Sequence, residues 1–183
     1  MKIRIHKILT GSCANGPGIR NVVWFQGCTL GCPGCFNPRT HDPKGGYSIT
    51  TKALCNHLLS PASPCDGITI SGGEPFQQAE ALKILLEGIK SHSGLPVLVF
   101  SGYTYDFLKS STAGSACLPF IDALICGPYD RNIPPDHERF CSSGNQELVF
   151  LSDRYSKKDF NNLPQSEYFL DKQGNIIISG INP

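Results

Sequence analysis

Apolar and charged residues alternate through Ile3-Arg4-Ile5-His6-Lys7-Ile8-Leu9, and that period of two predicts a β-strand over residues 3 to 9. Val22-Val23-Trp24-Phe25, a β-branched and aromatic run, predicts a second strand. Short apolar runs at Gly67–Ser71, Pro96–Phe100, Ile121–Ile125 and Glu147–Leu151 predict four more. The clearest helix lies between two of them. Ala79, Leu82, Leu85, Leu86 and Ile89 recur at spacings of three and four, with Lys83, Glu87 and Lys90 on the opposite side. Thr50 or Thr51 can cap a further helix reaching about Leu59, and a short one is expected near Tyr105 to Lys109. Strands alternating with helices predict an α/β fold with a parallel sheet of right-handed βαβ units. Beyond residue 152 the pattern changes. Tyr168-Phe169-Leu170 faces Ile176-Ile177-Ile178 across Asp171-Lys172-Gln173-Gly174-Asn175, which predicts a β-hairpin.

The chain has 183 residues, enough for one domain with a sizeable core. Sixteen Lys plus Arg stand against 15 Asp plus Glu, so net charge offers no attraction to nucleic acid or to an anionic membrane. No apolar run approaches the roughly 18 residues of a membrane span. The alternating N-terminus lacks the unbroken apolar stretch of a signal peptide, and the expected location is the cytoplasm.

Cysteine changes the picture. There are nine, an odd number, and in a cytoplasmic chain a disulfide framework is not expected. Cys28, Cys32 and Cys35 crowd into a loop rich in Gly and Pro that runs from Gly27 to Gly46. Thiolates at such intervals can converge on one soft metal centre. Structural zinc wants four closed ligands, for which Cys13 or His41 could supply the fourth. A four-iron cluster on three thiolates would instead keep one iron open, as a catalytic site does. Cys55, Cys117 and Cys126 sit in apolar runs and are expected in the core, whereas Cys13, Cys65 and Cys141 lie in expected loops. No nucleophile motif or carboxylate pair suggests another chemistry. Gly72-Gly73-Glu74-Pro75 follows a strand and precedes a helix, a turn whose backbone and carboxylate can approach and accept from an ammonium group.

The Cys28-x3-Cys32-x2-Cys35 spacing resembles the signature of the radical S-adenosylmethionine (SAM) superfamily. Asn15-Gly16-Pro17-Gly18-Ile19-Arg20, Phe25-Gln26-Gly27-Cys28 and Cys32-Pro33-Gly34-Cys35-Phe36-Asn37-Pro38 are similar to the branch that activates glycyl radical enzymes, in particular the anaerobic ribonucleotide reductase type. Ser71–Pro75, Ser101-Gly102-Tyr103-Thr104 and Ser142–Gln146 fall where that branch has similar strings.

The resemblance implies an open partial (β/α)6 barrel over residues 1–151 with the cluster loop at 27–46, and a C-terminal extension, residues 152–183, packed on the same domain. It implies a [4Fe-4S] cluster on Cys28, Cys32 and Cys35, and SAM held by Gly34, Cys35, Phe36, Gly72, Gly73, Glu74 and Ser101. Beyond cluster and SAM, no separate catalytic side chain is expected, because the cofactors carry the chemistry. Reductive cleavage of SAM would yield a 5′-deoxyadenosyl radical that takes a hydrogen atom from a glycine of a partner enzyme. The implied partners are a glycyl radical enzyme such as the large subunit of anaerobic ribonucleotide reductase, and a flavodoxin- or ferredoxin-like reductant. Two other readings stay open: a radical SAM enzyme acting on a small molecule or peptide, and an iron–sulfur or zinc protein without SAM chemistry. Arg20 could serve the partner or a carboxylate, or lie on the surface, Tyr103 is expected half-buried at a helix start, and Asn37 could bond near the cluster.

Overall fold

The computed structural model describes residues 1–170 and 174–181. Nine strands occur there: β1 (Lys2–Ser12), β2 (Arg20–Phe25), β3 (Tyr47–Thr50), β4 (Gly67–Gly72), β5 (Val97–Ser101), β6 (Ala123–Cys126), β7 (Glu147–Phe150), β8 (Ser166–Leu170) and β9 (Ile176–Gly180). The first seven form one sheet in the order β3-β1-β2-β4-β5-β6-β7. Four helices accompany them: α1 (Thr51–Leu58), α2 (Ala79–His92), α3 (Tyr105–Ser110) and α4 (Thr112–Ser115). The fold is mixed α/β, with a large sheet and few helices.

Parallel pairing is confined to β2, β4, β5 and β6. The flanks run the other way, β1 against β2 and β3, and β7 against β6. A uniformly parallel sheet is thus not what forms, and the connections explain why. A parallel neighbour needs a crossover, usually helical. Residues 13–19 and 127–146, which join the antiparallel pairs, carry no helix. The strand β3 was not expected; Tyr47-Ser48-Ile49-Thr50 has one apolar side chain turned inward and little alternation to announce it.

Helix α1 starts where Thr50 Oγ1 accepts from the Ala53 N–H at 3.1 Å, a side-chain cap that satisfies one orphan donor. Helix α2 buries Ala81, Leu82, Leu85, Leu86 and Ile89. Ala81 takes the place expected of Ala79, which is only partly covered where the 3₁₀ turn Pro75–Gln78 hands over to the helix. This stripe packs on Val23, Phe25, Ile68, Ile70, Val97, Val99 and Leu124, each fully buried aliphatic contributing about 1.5–3 kcal/mol. Cys55, Cys117 and Cys126 belong to the same core.

The opposite face of the sheet has its own apolar cluster. Leu98, Ala123 and Ile125 pack there against Phe140, Cys141, Phe160 and Ile181, so residues of the C-terminal extension help to cover it. Strands β8 and β9 form the expected hairpin, with Tyr168 opposite Ile178 and Leu170 opposite Ile176; residues 171–173 of its turn lie outside the described residues. The hairpin is tied to the loop after β1. Glu167 accepts from Ser12 Oγ and, at 2.7 Å, from the Cys13 N–H, and Asn15 Nδ2 donates to Ser179 Oγ at 2.7 Å. No helix among the described residues is long and apolar enough to cross a membrane.

Candidate functional site

The C-terminal ends of the four parallel strands lie along one edge, and the cysteine loop is fastened across it by backbone bonds. Gly27 N donates to Thr40 O at 2.7 Å and Cys28 N to His41 O at 3.1 Å, which closes the loop at its base. Gly73 N donates to Phe25 O and Glu74 N to Gly27 O, both at 2.9 Å, joining the end of β4 to the end of β2. Both glycines are required. Gly72 has φ +115°, and a Cβ there would lie 2.3 Å from Phe25 N; one on Gly73 would lie 2.3 Å from Gly27 O. Gln26 Nε2 pins the returning limb by donating to Arg39 O at 3.0 Å and Asp42 O at 2.7 Å.

The fastened loop encloses a cavity of about 110 Å³. Cys28, Cys32 and Cys35 all line it, together with Phe36, Gly72, Gly73, Glu74 and Ser101. Gly34 is the exception: it stands in the left-handed region at φ +71° and packs against the Arg131 side chain, outside the lining. Burial pushes the Cys28 thiol up, and the charges of Glu74, Cys35 and Cys32 push it further, against a bond from the Leu30 backbone. Burial likewise raises Cys35, with Cys32 adding to it and the Asn37 N–H, 3.4 Å from Sγ, working against it.

Burial and the acidic groups beside them thus disfavour the thiolate forms of Cys28 and Cys35. A cationic iron–sulfur cluster is the kind of group such a donor set fits, since metal charge favours the thiolates that burial and repulsion disfavour. Among the described residues no three His, Cys, Asp or Glu side chains converge on a point suited to a single metal ion. Thiols spaced around a shared cavity suit a multi-iron cluster, whose thiolates bind separate irons.

Glu74 is fully buried beside the cavity. Its Oε1 accepts from Phe76 N–H and Ser101 Oγ, each at 3.0 Å, and its Oε2 accepts from Gly102 N–H at 2.8 Å. Burial raises its carboxyl to about 7 despite those three donors. Ser101 therefore orients Glu74, and Ser101 Oγ in turn accepts from Tyr103 N–H at 3.1 Å. Tyr103 is half-buried, as expected, and its ring stacks on Phe107.

Among the lining residues, Gly127 and Tyr129 were not singled out from the sequence, whereas Ser142 and Gln146 belong to the Ser142–Gln146 string noted there. Tyr129 follows β6, the fourth parallel strand, and its ring meets Phe36 at 4.7 Å between centroids. Gln146 reaches the cavity with Nε2 donating to Gly127 O at 3.2 Å, while Ser142 enters from the segment before β7. The signal for Gly127 and Tyr129 was available, since they follow within three residues of Cys126, which ends β6 as Gly72 and Ser101 end β4 and β5. His41 lines the cavity too, and its Nε2 is buried with no hydrogen-bond partner among the described residues. Cys13, the alternative fourth ligand, is exposed on the loop leading into β2, at the other end of the strands.

Arg20 corrects all three readings of it, partner, carboxylate and surface. It is fully buried and bonds no carboxylate among the described residues; Nε donates to Thr69 Oγ1 at 3.0 Å, Nη1 to Tyr155 Oη at 2.5 Å and Pro17 O at 3.2 Å, and Nη2 to Ile68 O at 2.5 Å and Pro96 O at 3.4 Å. Cys141, expected in a loop, is buried in the second core.

Residues 14–149 match the family model of a 4Fe-4S single cluster domain. The chain is 30% identical over 151 residues to the anaerobic ribonucleoside-triphosphate reductase-activating protein of Enterobacteria phage T4, covering 79% of this chain and 92% of that one. The protein of the same name from Pasteurella multocida (strain Pm70) is 30% identical over 148 residues, covering 77% of this chain and 92% of its own length. The pyruvate formate-lyase-activating enzyme of Clostridium pasteurianum is 40% identical over 106 residues, which are 56% of this chain and 44% of that longer protein.

Proposed function

This chain belongs to the 4Fe-4S single cluster family that includes the anaerobic ribonucleoside-triphosphate reductase-activating proteins, and from that premise we propose that it is a radical SAM activase for a partner glycyl radical enzyme. The observation that carries the reading is the meeting of Cys28, Cys32, Cys35 and buried Glu74 on one cavity at the parallel strand ends.

In this reading the three cysteines hold a [4Fe-4S] cluster as thiolates. When bound, the reduced cluster supplies the electron that cleaves SAM to methionine and a 5′-deoxyadenosyl radical, which removes a hydrogen atom from a glycine. The protein's own part is positioning. Gly72 and Gly73 let the backbone come close to the ligand, and Glu74 accepts from the methionyl ammonium with a lone pair not used by its three donors. Ser101 and the Gly102 N–H keep that carboxylate from rotating. Phe36 and the Cys35 backbone meet the adenine, while Leu30, Phe100 and Tyr129 keep water from the reacting atoms. In this reading the four parallel strands with their helices form an open partial barrel, whose open side would admit a loop of the partner. A small flavoprotein or ferredoxin-like protein provides the electron.

The test is anaerobic. Protein reconstituted with iron and sulfide, then reduced, is mixed with SAM and followed by electron paramagnetic resonance and a 5′-deoxyadenosine assay. A spectrum that changes on adding SAM, with 5′-deoxyadenosine that Cys32→Ala cannot form, is the expected result. Adding the large subunit of anaerobic ribonucleotide reductase should then give a glycyl radical doublet. A full cluster that neither senses nor cleaves SAM would sink the proposal.

A further inference from the structure

The cavity holds one group that the proposed mechanism leaves unused. His41 follows the 3₁₀ turn Pro38–Thr40, its N–H donates to Pro38 O at 3.2 Å, and its carbonyl accepts from the Cys28 N–H at 3.1 Å. The His41 backbone is thereby tethered to that of the first cysteine of the loop. Its Nε2 is the one buried side-chain nitrogen or oxygen among the described residues that lacks a hydrogen-bond partner. His41 is one of the residues that line the cavity, and since buried polar atoms in native proteins find partners, a group filling that cavity is the simplest partner for Nε2.

We infer that His41, through its Nε2–H, is a hydrogen-bond donor to a sulfur of the cluster and raises its reduction potential; the inference rests on the cluster assignment proposed above. A neutral imidazole protonated on Nε2 offers one donor there. Hydrogen bonds to sulfide or thiolate sulfur draw off electron density and favour the reduced state, one of the main levers by which a protein sets a cluster's potential. Three thiolates beside a buried carboxylate work in the opposite direction, so a donor in this cavity makes the cluster easier to reduce. His41 is a positioning and tuning residue in this view. Ligation of the open iron by His41 would compete with SAM for that iron.

The experiment uses the reconstituted holoprotein without SAM or partner, and reads the midpoint potential by spectroelectrochemical titration. His41→Leu, which cannot donate, should lower the reduced-to-oxidised ratio at a fixed poise about tenfold, a shift of about 59 mV for a one-electron couple. His41→Gln, whose amide N–H reaches a similar distance, should restore most of it. Iron content per chain should be the same in all three proteins. A second measurement needs no variant: electron spin-echo modulation of the reduced wild type labelled with ¹⁵N-histidine. A weak nitrogen coupling is expected. No coupling together with an unmoved potential overturns the inference, and a strong coupling overturns it in favour of direct ligation. Should the wild type fail to assemble any cluster, the proposed function falls first and this inference with it.

Discussion

Arg20 and Glu74 are both fully buried charged side chains on the same run of parallel strands, and they differ in what surrounds them. Arg20 opens β2, and its five N–H donors meet five oxygens, three of them backbone carbonyls. Glu74 follows β4 at the other end, with three donors on its two oxygens and a cavity in front of it. A buried charge whose bonding capacity is exhausted belongs to the architecture. One with capacity left, facing open space among thiols, is poised to bind. The two ends of the sheet thus separate what holds the fold from what the fold is for.

The sharpest way to break this contrast is to remove Arg20. Arg20→Met leaves Thr69, Tyr155 and three carbonyls without their donor, and should cost about 4 kcal/mol in urea unfolding. A loss below about 1 kcal/mol would show that these bonds are not structural. Glu74 should reveal itself through pH. Its folded carboxyl is raised to about 7 from an ordinary 4.5, so the folded chain holds a proton that the unfolded chain has released. Stability from this group is complete below about pH 4.5 and is lost as pH rises through about 7, a fall of about 3 kcal/mol. Unfolding of the cluster-free protein at about pH 5 and about pH 8 measures it. Glu74→Gln should flatten that slope, and an equal slope in the variant would assign it to another group. The smallest effect is expected of Tyr155→Phe, which removes one acceptor from Arg20 and should cost about 1 kcal/mol with cluster loading unchanged.

Much of the cavity was legible because its chemistry is local. Cys28, Cys32 and Cys35 sit within eight residues, and Gly72-Gly73-Glu74-Pro75 is contiguous. Helix α2 was legible for a similar reason, its apolar stripe being written at intervals of three and four. What escaped depends on pairings made by the whole chain. Arg20 reads as a lone basic residue until Tyr155, 135 positions on, is folded over it. Strand β3 pairs with β1 through backbone bonds that its exposed side chains do not advertise. Tyr129 carries no motif of its own and reaches the cavity because β6 ends there, and the Ser142–Gln146 string reaches it because β7 begins there. His41 was weighed only as a candidate zinc ligand, and its unpartnered nitrogen becomes visible once burial is known.

The bonds at the base of the cysteine loop also bear on the order of events in the life of the protein. Gly27 to Thr40 and Cys28 to His41 close the loop with main-chain atoms alone, and Glu74 to Gly27 seals it to the sheet. The entropy of drawing three cysteines together is therefore largely met by folding, before any metal arrives. Small zinc modules depend on the ion to fold at all. Here the loop is closed by the protein's own backbone, so cluster loading should not require the chain to unfold.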